Sequence, residues 1–360
     1  MRRKICIVAL CIVASLFAAC TEARAPSETQ DLKEFSRLAA GYESITSQEL
    51  TDAITYLASA GSEGRRSGTE GNAKAGEYIA KTLAEAPLPP IRTSYFQSFN
   101  FEDVRRPDIS LEKIEKWSKD SHWTISHSGR NIIAVLEGTS KKNEYVVIGA
   151  HYDHLGIQGG KLFPGADDNA SGTAAVMEIA EAFAVLAEQS IRPQRSIVFT
   201  LFDAEEWGLC SEYFVENSPV PLEKIAAYIN LDMVGRNKTS YLEVYGSPDI
   251  DDFSKRSPEL SRALERANKV LQFQLNLPAE EGKKEQIFSR SDQASFFFAR
   301  QEGNRIPVVF LTSGLHENYH EPSDTADKIN YLKLRNTARL AFLTVWIIAD
   351  QEETPVFHEK

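Results

Sequence analysis

Cysteine is nearly absent from the part of this chain that folds. Of its four cysteines, Cys6, Cys11 and Cys20 lie in the first twenty residues, and only Cys210 stands beyond them. One thiol cannot pair internally, so a disulfide framework is excluded and stability must come from packing and from any bound metal. Positive charge is also short: 40 Lys and Arg against 51 Asp and Glu leave a net charge of -11. That balance argues against a nucleic-acid partner and otherwise serves solubility. No apolar run reaches the ~20 residues that a bilayer-spanning helix needs, and the stretch from Ile5 to Ala19 falls short of it. Internal repeats and low-complexity tracts are missing as well.

What remains is ordinary globular material. At 360 residues, 42% apolar and 25% charged, the chain suffices for one large or two ordinary domains with a real core. Its first residues are not fold. Arg2, Arg3 and Lys4 precede the apolar stretch, and small residues Ala18 and Ala19 close it before Cys20, which reads as an export signal. Leu16-Phe17-Ala18-Ala19-Cys20 resembles a bacterial lipobox, in which the cysteine becomes the lipidated first residue. Ordinary cleavage after Ala25 is the alternative, since Ala23-Arg24-Ala25 also fits the small-x-small rule. The expected organisation is a signal over 1–19, a tether over 20–45, one folded domain over 46–351 and a tail over 352–360. The expected location is the cell envelope, held through Cys20 by a lipid anchor alone, with a soluble secreted or periplasmic form as the alternative.

Strands and helices alternate. Thr46 and Glu49 form a capping box opening a helix to about Ala60. A glycine-punctuated loop, Gly64 to Gly71, precedes a second helix, Asn72 to Ala86, stopped by Pro87. Strands are expected at Arg92–Phe101, Asn131–Glu137, Tyr145–Ala150, Arg195–Phe202, Ala226–Leu231, Tyr241–Tyr245 and Ile306–Thr312, with helices at Ser171–Glu188, Ser257–Leu271 and Tyr331–Gln351. Asp108 to Asp120 reads as charged surface, and Gln272 to Arg290 as a mobile loop. RSIVFTLF (195–202) shows no alternation, the mark of a strand buried on both faces. The pattern implies an α/β fold, with a mostly parallel twisted sheet and helices on both faces.

The chemistry collects at strand ends. His151 and Asp153 follow one strand. Asp167 and Asp168 lie in the next loop. Asp203, Glu205 and Glu206 follow RSIVFTLF, Asp232 follows AAYINL, and His316 and His320 follow the last strand. Carboxyl ends of parallel strands share one edge of a sheet, so these residues should converge there. Taken singly, each has a blander reading: an Asp after a strand is usually a cap or turn residue, and a lone His is more often structural. Those readings would have to fail together at five strand ends. His nitrogens with carboxylate oxygens suit zinc, and this donor set would also accept manganese or cobalt.

These residues resemble the co-catalytic di-zinc aminopeptidases of the aminopeptidase Y and bacterial secreted leucyl aminopeptidase type, related to glutamate carboxypeptidase II and more distantly to glutaminyl cyclase. The resemblance rests on His151-Tyr152-Asp153, Gly165-Ala166-Asp167-Asp168-Asn169-Ala170-Ser171-Gly172, Asp203-Ala204-Glu205-Glu206-Trp207-Gly208, Asn230-Leu231-Asp232-Met233, and Tyr319-His320 ahead of Ser323-Asp324-Thr325. The loop around Arg65 fits the family's opening, and the match runs from about Gly61 to Ile348. It implies a zinc-exopeptidase-like (phosphorylase/hydrolase-like) architecture and two zinc ions per chain. His151, Asp168 and Asp232 would hold one ion; Asp168, Glu206 and His320 would hold the other, with Asp168 bridging. Glu205 would be the general base, Asp153 would orient the His151 ring, and Tyr319 would stabilise the oxyanion. The peptide after the bridging aspartate is commonly cis in the family. The implied activity is release of N-terminal residues from peptides or small proteins with a free N-terminus, by a zinc-held water acting as nucleophile. The alternatives are a single-zinc glutaminyl-cyclase-like enzyme, a glutamate-releasing carboxypeptidase, for whose inserted domain Ala86 to Asn131 leaves little room, and a non-catalytic binding module. No sequence feature fixes the oligomeric state.

Other residues receive blander readings. His154 is expected to support the site or line its pocket, His316 to line the pocket without ligating, and Cys210 to be a buried structural thiol. His122 and His127 are expected at the surface. Ser291-Asp292 resembles a Ser-Asp-His stretch of the family, but Gln293 stands where His is frequent.

Overall fold

The computed structural model describes residues 33–103, 125–208, 211–246, 253–276 and 287–359. The signal sequence, Cys20, most of the expected tether, Asp108 to Asp120, His122 and Cys210 therefore lie outside the described residues. The chain divides into an N-terminal unit, Met1–Ala39, and a main unit, Ala40–Lys360. The main unit holds the sheet and the helices that pack on it.

Its first capped helix, α1 (Ser47–Leu57), begins where the capping box placed it: the Thr46 hydroxyl accepts from Glu49 N–H. Helix α2 (Glu70–Glu85) starts two residues earlier than expected, because Thr69 rather than a later residue supplies the cap, accepting from Asn72 N–H. The strands are β1 (Phe96–Asp103), β2 (Ile125–Leu136), β3 (Lys141–His151), β6 (Arg195–Phe202), β7 (Ile225–Leu231), β8 (Tyr241–Tyr245), β9 (Gln274–Asn276) and β10 (Val308–Thr312). Two short strands, β4 (Gly156–Gln158) and β5 (Lys161–Phe163), form a separate hairpin. The longer helices α3 (Gly172–Glu188), α4 (Pro258–Leu271) and α5 (Tyr331–Asp350) complete the main unit.

The eight-stranded sheet runs β1-β2-β6-β3-β7-β10-β8-β9. Its middle four strands, β6, β3, β7 and β10, are mutually parallel, while β1, β2 and the β10–β8 junction are antiparallel. The mixed α/β architecture with a parallel centre is the expected one. Every residue of β6 and of β7 is buried, as their lack of polar alternation requires of strands covered on both faces. On one face Phe183 of α3 packs on Phe342 and Trp346 of α5, with ring centroids 4.8 and 6.3 Å apart. On the other, Tyr228 stacks on Phe296 at 3.9 Å within a cluster that includes Val147, Val198 and Phe202.

Two expectations change. The stretch expected as a mobile loop opens with β9, paired in parallel with β8; residues 277–286 lie outside the described residues. His127, expected at the surface, is half-buried and stacks on Phe101 at 5.4 Å. At the other end of the chain, Phe357 is buried against Phe297 (4.8 Å), so the tail is packed onto the main unit.

Candidate metal centre

Because β6, β3, β7 and β10 are neighbours and parallel, their carboxyl ends open onto one edge. His151 ends β3, Asp203 follows β6, Asp232 follows β7, and the loop to His320 follows β10. Each strand is fixed by burial, so these ends are rigid points from which polar side chains can be aimed.

The ring of His151 is 1% exposed. Its Nδ1 lies 3.3 Å from the carbonyl oxygen of Asp153 and 3.6 Å from the carboxylate. A proton on Nδ1 donated to that carbonyl leaves the Nε2 lone pair facing Asp168 Oδ1 and Asp232 Oδ1, both at 3.5 Å. The Asp153 carboxylate has other work: it accepts from the N–H groups of Glu205 (3.1 Å) and Glu206 (3.3 Å) and from Ser67 Oγ. It thereby fixes the turn that carries both glutamates. Ser291 donates to Asp232 Oδ2 at 2.7 Å, setting that carboxylate's angle.

A second group shares Asp168. His320 Nε2 lies 3.0 Å from Asp168 Oδ2 and 3.2 Å from Glu206 Oε2. His154 Nδ1 lies 2.8 Å from the other oxygen of Glu206 and 3.8 Å from Asp168 Oδ2. Two imidazoles therefore flank one glutamate. His320 lines the open cavity over the site and His154 does not; His154 is wholly buried. His320 thus faces the cavity beside Glu206, and His154 packs behind Glu206.

Several observations test whether these residues fit metal ions. His151, Asp168 and Asp232 offer donor atoms within 4.8 Å of one another, and so do His154, Asp168 and Glu206. Donors around a tetrahedral zinc, with bonds near 2.0–2.1 Å, stand about 3.3 Å apart, which the 3.0–3.8 Å separations here approximate. Buried Asp168 Oδ2 and Asp232 Oδ1 face imidazole nitrogens of His320 and His151 and take no other hydrogen bond among the described residues. With those nitrogens unprotonated the oxygens lack partners, which is rare for buried carboxylates, and a cation supplies one. The residues fit.

Behind the donors lies a support layer. Arg65, wholly buried, donates to four carbonyls, those of Tyr152 (2.7 Å), Leu57 (2.7 Å), Pro164 (2.7 Å) and Gly165 (2.8 Å). It ties the end of β3 to the loop that delivers Asp168. Burial lowers its pKa to about 10, against the pull of Asp168, Asp153, Asp324 and Glu206, so it remains a cation behind an acidic site. Asp324 accepts from the N–H groups of Asp167 and Asp168. Asp167 in turn accepts from Gly235 N–H at 2.7 Å and faces His316 Nε2 at 3.1 Å. His316 therefore holds the loop rather than lining the cavity as expected; it is absent from the cavity wall. Asp203 is consumed by Ser67, Asn72, Tyr152 and the N–H of Arg130. The peptide joining Asp168 to Asn169 is cis.

Glu205 lines the cavity and belongs to neither donor set. Burial raises its carboxyl pKa well above the ordinary range, with Glu206, Asp232 and Asp292 adding to the shift and His151 opposing it. Burial also acts to raise Glu206, but the bonds from His154 and His320 outweigh it and hold that group down at about 2. Two adjacent glutamates thus part company: Glu206 is held ionised between two imidazoles, and Glu205 is poised to hold a proton. Tyr319 stacks on His320 at 3.8 Å, and its hydroxyl accepts from Arg290 at 3.0 Å.

Some features were not legible in the sequence. Asp292 is wholly buried, and burial lifts its pKa to about 7 against the pull of His151 and the backbone of Ser211. Gln293, where the resembled family often has His, bonds Asn230 at 2.7 Å and the Phe288 carbonyl, so its amide is structural. Acidic Glu243 also opens onto the cavity, a position the sequence did not single out.

A family model described as peptidase family M28 matches residues 131–345. An aminopeptidase of Pseudomonas aeruginosa is 32% identical over 282 residues, covering 73% of this chain and 48% of that protein. A probable glutamate carboxypeptidase of Arabidopsis thaliana is 30% identical over 150 residues, 41% of this chain and 21% of that protein. The chain thus spans about half the length of the Pseudomonas relative it matches. Among solved structures, an aminopeptidase from Aneurinibacillus sp. strain AM-1 superposes with a TM-score of 0.65 at 17% identity, covering 90% of this chain and 98% of that one. Glutaminyl cyclase of Porphyromonas gingivalis gives 0.61 at 19% identity, covering 83% and 97%. These likenesses establish the shared fold.

Proposed function

Because the chain belongs to peptidase family M28, we propose that it is a zinc-dependent aminopeptidase that holds two ions and releases N-terminal residues from peptides. The observation that carries this reading is the shared Asp168. Its Oδ1 faces His151 and its Oδ2 faces His320, so one carboxylate serves two donor sets with Glu205 beside them. His151, Asp168 and Asp232 would hold one zinc, and Asp168, Glu206 and His320 the other. Zinc bound there supplies an acidified water at neutral pH and a Lewis acid for the scissile carbonyl.

The chain's own residues supply the rest. Glu205 accepts a proton from the attacking water and passes it to the leaving amine as the C–N bond breaks and the C–O bond forms. Its backbone, clamped by Asp153, keeps that carboxylate in place across both transfers. Tyr319, braced by Arg290 and stacked on His320, presents a hydroxyl at the cavity wall where an oxyanion would develop. The acid-rich lining favours a substrate that brings a positive α-amine. Metal-reconstituted protein should therefore release aniline from leucine anilide and not from its N-acetylated form, and chelation should abolish the release. Equal cleavage of the acetylated substrate would contradict the exopeptidase assignment.

The charges around the two imidazoles also set a pH sign for zinc binding. Burial acts to lower His320, but Asp168 and Glu206 raise it to about 10. His151 is likewise raised well above its ordinary range, burial being outweighed by Asp232 and Glu205. Both imidazoles are doubly protonated near neutral pH and must each lose one of their two ring protons to bind zinc. Zinc loading at pH 7 should therefore release about two protons per chain, and affinity should rise with pH. Titration calorimetry in buffers of different ionisation enthalpy measures this; loading without proton release would contradict it.

A further inference from the structure

We infer that Glu243 is a specificity-determining residue, the end of a pocket that accepts a basic side chain, Lys or Arg, at the N-terminal position of the substrate. The inference rests on the aminopeptidase reading above. Glu243 sits on β8, paired antiparallel with β10 and opposite Thr312. It is thus one strand beyond the strand whose end leads to His320. Its side chain lines the same cavity as His151, Asp168 and Glu205, and the wall of that cavity also carries the apolar side chains of Met233, Ile287, Phe310 and Leu315.

The carboxylate is built into place. Tyr241 donates to Oε1 at 3.0 Å and Tyr245 donates to Oε2 at 2.8 Å. Each oxygen has about two lone pairs, so each keeps one to offer a ligand. Among the described residues Glu243 forms no ion pair. Lys333 lies within electrostatic range, but its ammonium is bound to the Arg236 carbonyl. Arg290, the cation in the cavity wall, is engaged with the Tyr319 hydroxyl and ring on the His320 side. Gly314 makes room for the carboxylate: a Cβ there would lie 2.8 Å from Glu243 Oε1, and its φ of +79° is one that side chains rarely adopt.

An acid at the end of an apolar passage selects for one kind of side chain. The methylenes of Lys or Arg cover Met233 and Phe310 while the charged tip reaches the carboxylate. A neutral side chain of equal length buries the carboxylate's charge with the two tyrosine hydroxyls but no cation, a situation that a binding site discriminates against.

The test compares lysine, arginine and norleucine anilides on zinc-reconstituted full-length protein, with calorimetric binding of lysinamide and norleucinamide alongside. Wild type should favour lysine over norleucine in kcat/KM by about 10- to 100-fold, and Glu243→Gln should bring that ratio close to one. Lysinamide should bind more tightly than norleucinamide, and the same substitution should remove the difference. Preference for norleucine, or an unchanged ratio in Glu243→Gln, overturns the assignment while leaving the aminopeptidase reading intact. Selective lysinamide binding without hydrolysis of any anilide does the reverse: it supports the pocket and contradicts the peptidase reading. Should Glu243→Gln fail to fold, the wild-type preference and the binding selectivity still decide.

Discussion

Glu205→Gln is expected to lower kcat by about 10²- to 10⁴-fold while both zinc ions stay bound and KM changes little. That loss corresponds to roughly 3–5.5 kcal/mol of transition-state stabilisation. The reason lies in the division of labour between two adjacent glutamates. Glu206 is gripped by His154 at 2.8 Å and His320 at 3.2 Å, whereas Glu205 opens onto the cavity and joins neither donor set. Glutamine fills the same space and leaves the Asp153 clamp on the backbone N–H untouched. It removes only the ability to take up a proton. Metal analysis and steady-state kinetics on one preparation check this. Loss of zinc with the substitution would mean that the roles of Glu205 and Glu206 are exchanged.

Asp168→Ala should have the larger effect on the protein as a whole. Zinc content should fall below one ion per chain and activity by at least ~10⁴-fold, because both donor sets lose a member at once. The surviving halves are His151 with Asp232, and Glu206 with His320, pairs that leave a small, strongly hydrated cation mostly to water. Stability should follow metal occupancy. An ion present at 100 times its dissociation constant stabilises the folded state by about 2.7 kcal/mol, so zinc should raise the wild-type melting temperature and leave that of Asp168→Ala nearly unchanged. A His320→Ala variant should retain one ion. If Asp168→Ala keeps one tightly bound zinc, the carboxylate does not bridge.

Much of this site was legible because strand ends are legible. A β-branched and aromatic stretch without alternation, such as RSIVFTLF, reads as a strand covered on both faces, and the polar residues that follow it then stand at the sheet's edge. Four such runs, parallel and adjacent, bring His151, Asp168, Glu206, Asp232 and His320 together. Features made by tertiary contact alone were not legible. Arg65 bonds four carbonyls, and a carbonyl is present at every residue, so no partner side chain marks the pairing. The same holds for Asp324, whose partners are the N–H groups of Asp167 and Asp168.

The hairpin β4–β5 escaped for a different reason. Strands of three residues are too short for alternation to register. Strand β9 lay in a polar stretch and exists because β8 offers it a parallel edge. The resemblance set His320 beside Glu206 and left His154 to support the site or line its pocket; that His154 reaches Glu206 at 2.8 Å was not legible, because the contact is made only when the ends of β3 and β6 come together. Glu243 was hidden by topology: it follows Asp232 by eleven residues, yet reaches the cavity only because β8 pairs antiparallel with β10.

The most direct measurement is the zinc content of the purified, metal-reconstituted protein after removal of loosely bound ions. Two zinc ions per chain, both lost together on Asp168→Ala, are the expected result. A single zinc with unchanged occupancy in that variant, together with cyclisation of an N-terminal glutamine peptide in place of anilide release, would contradict the shared-carboxylate account and assign the fold to the chemistry of its glutaminyl cyclase neighbour.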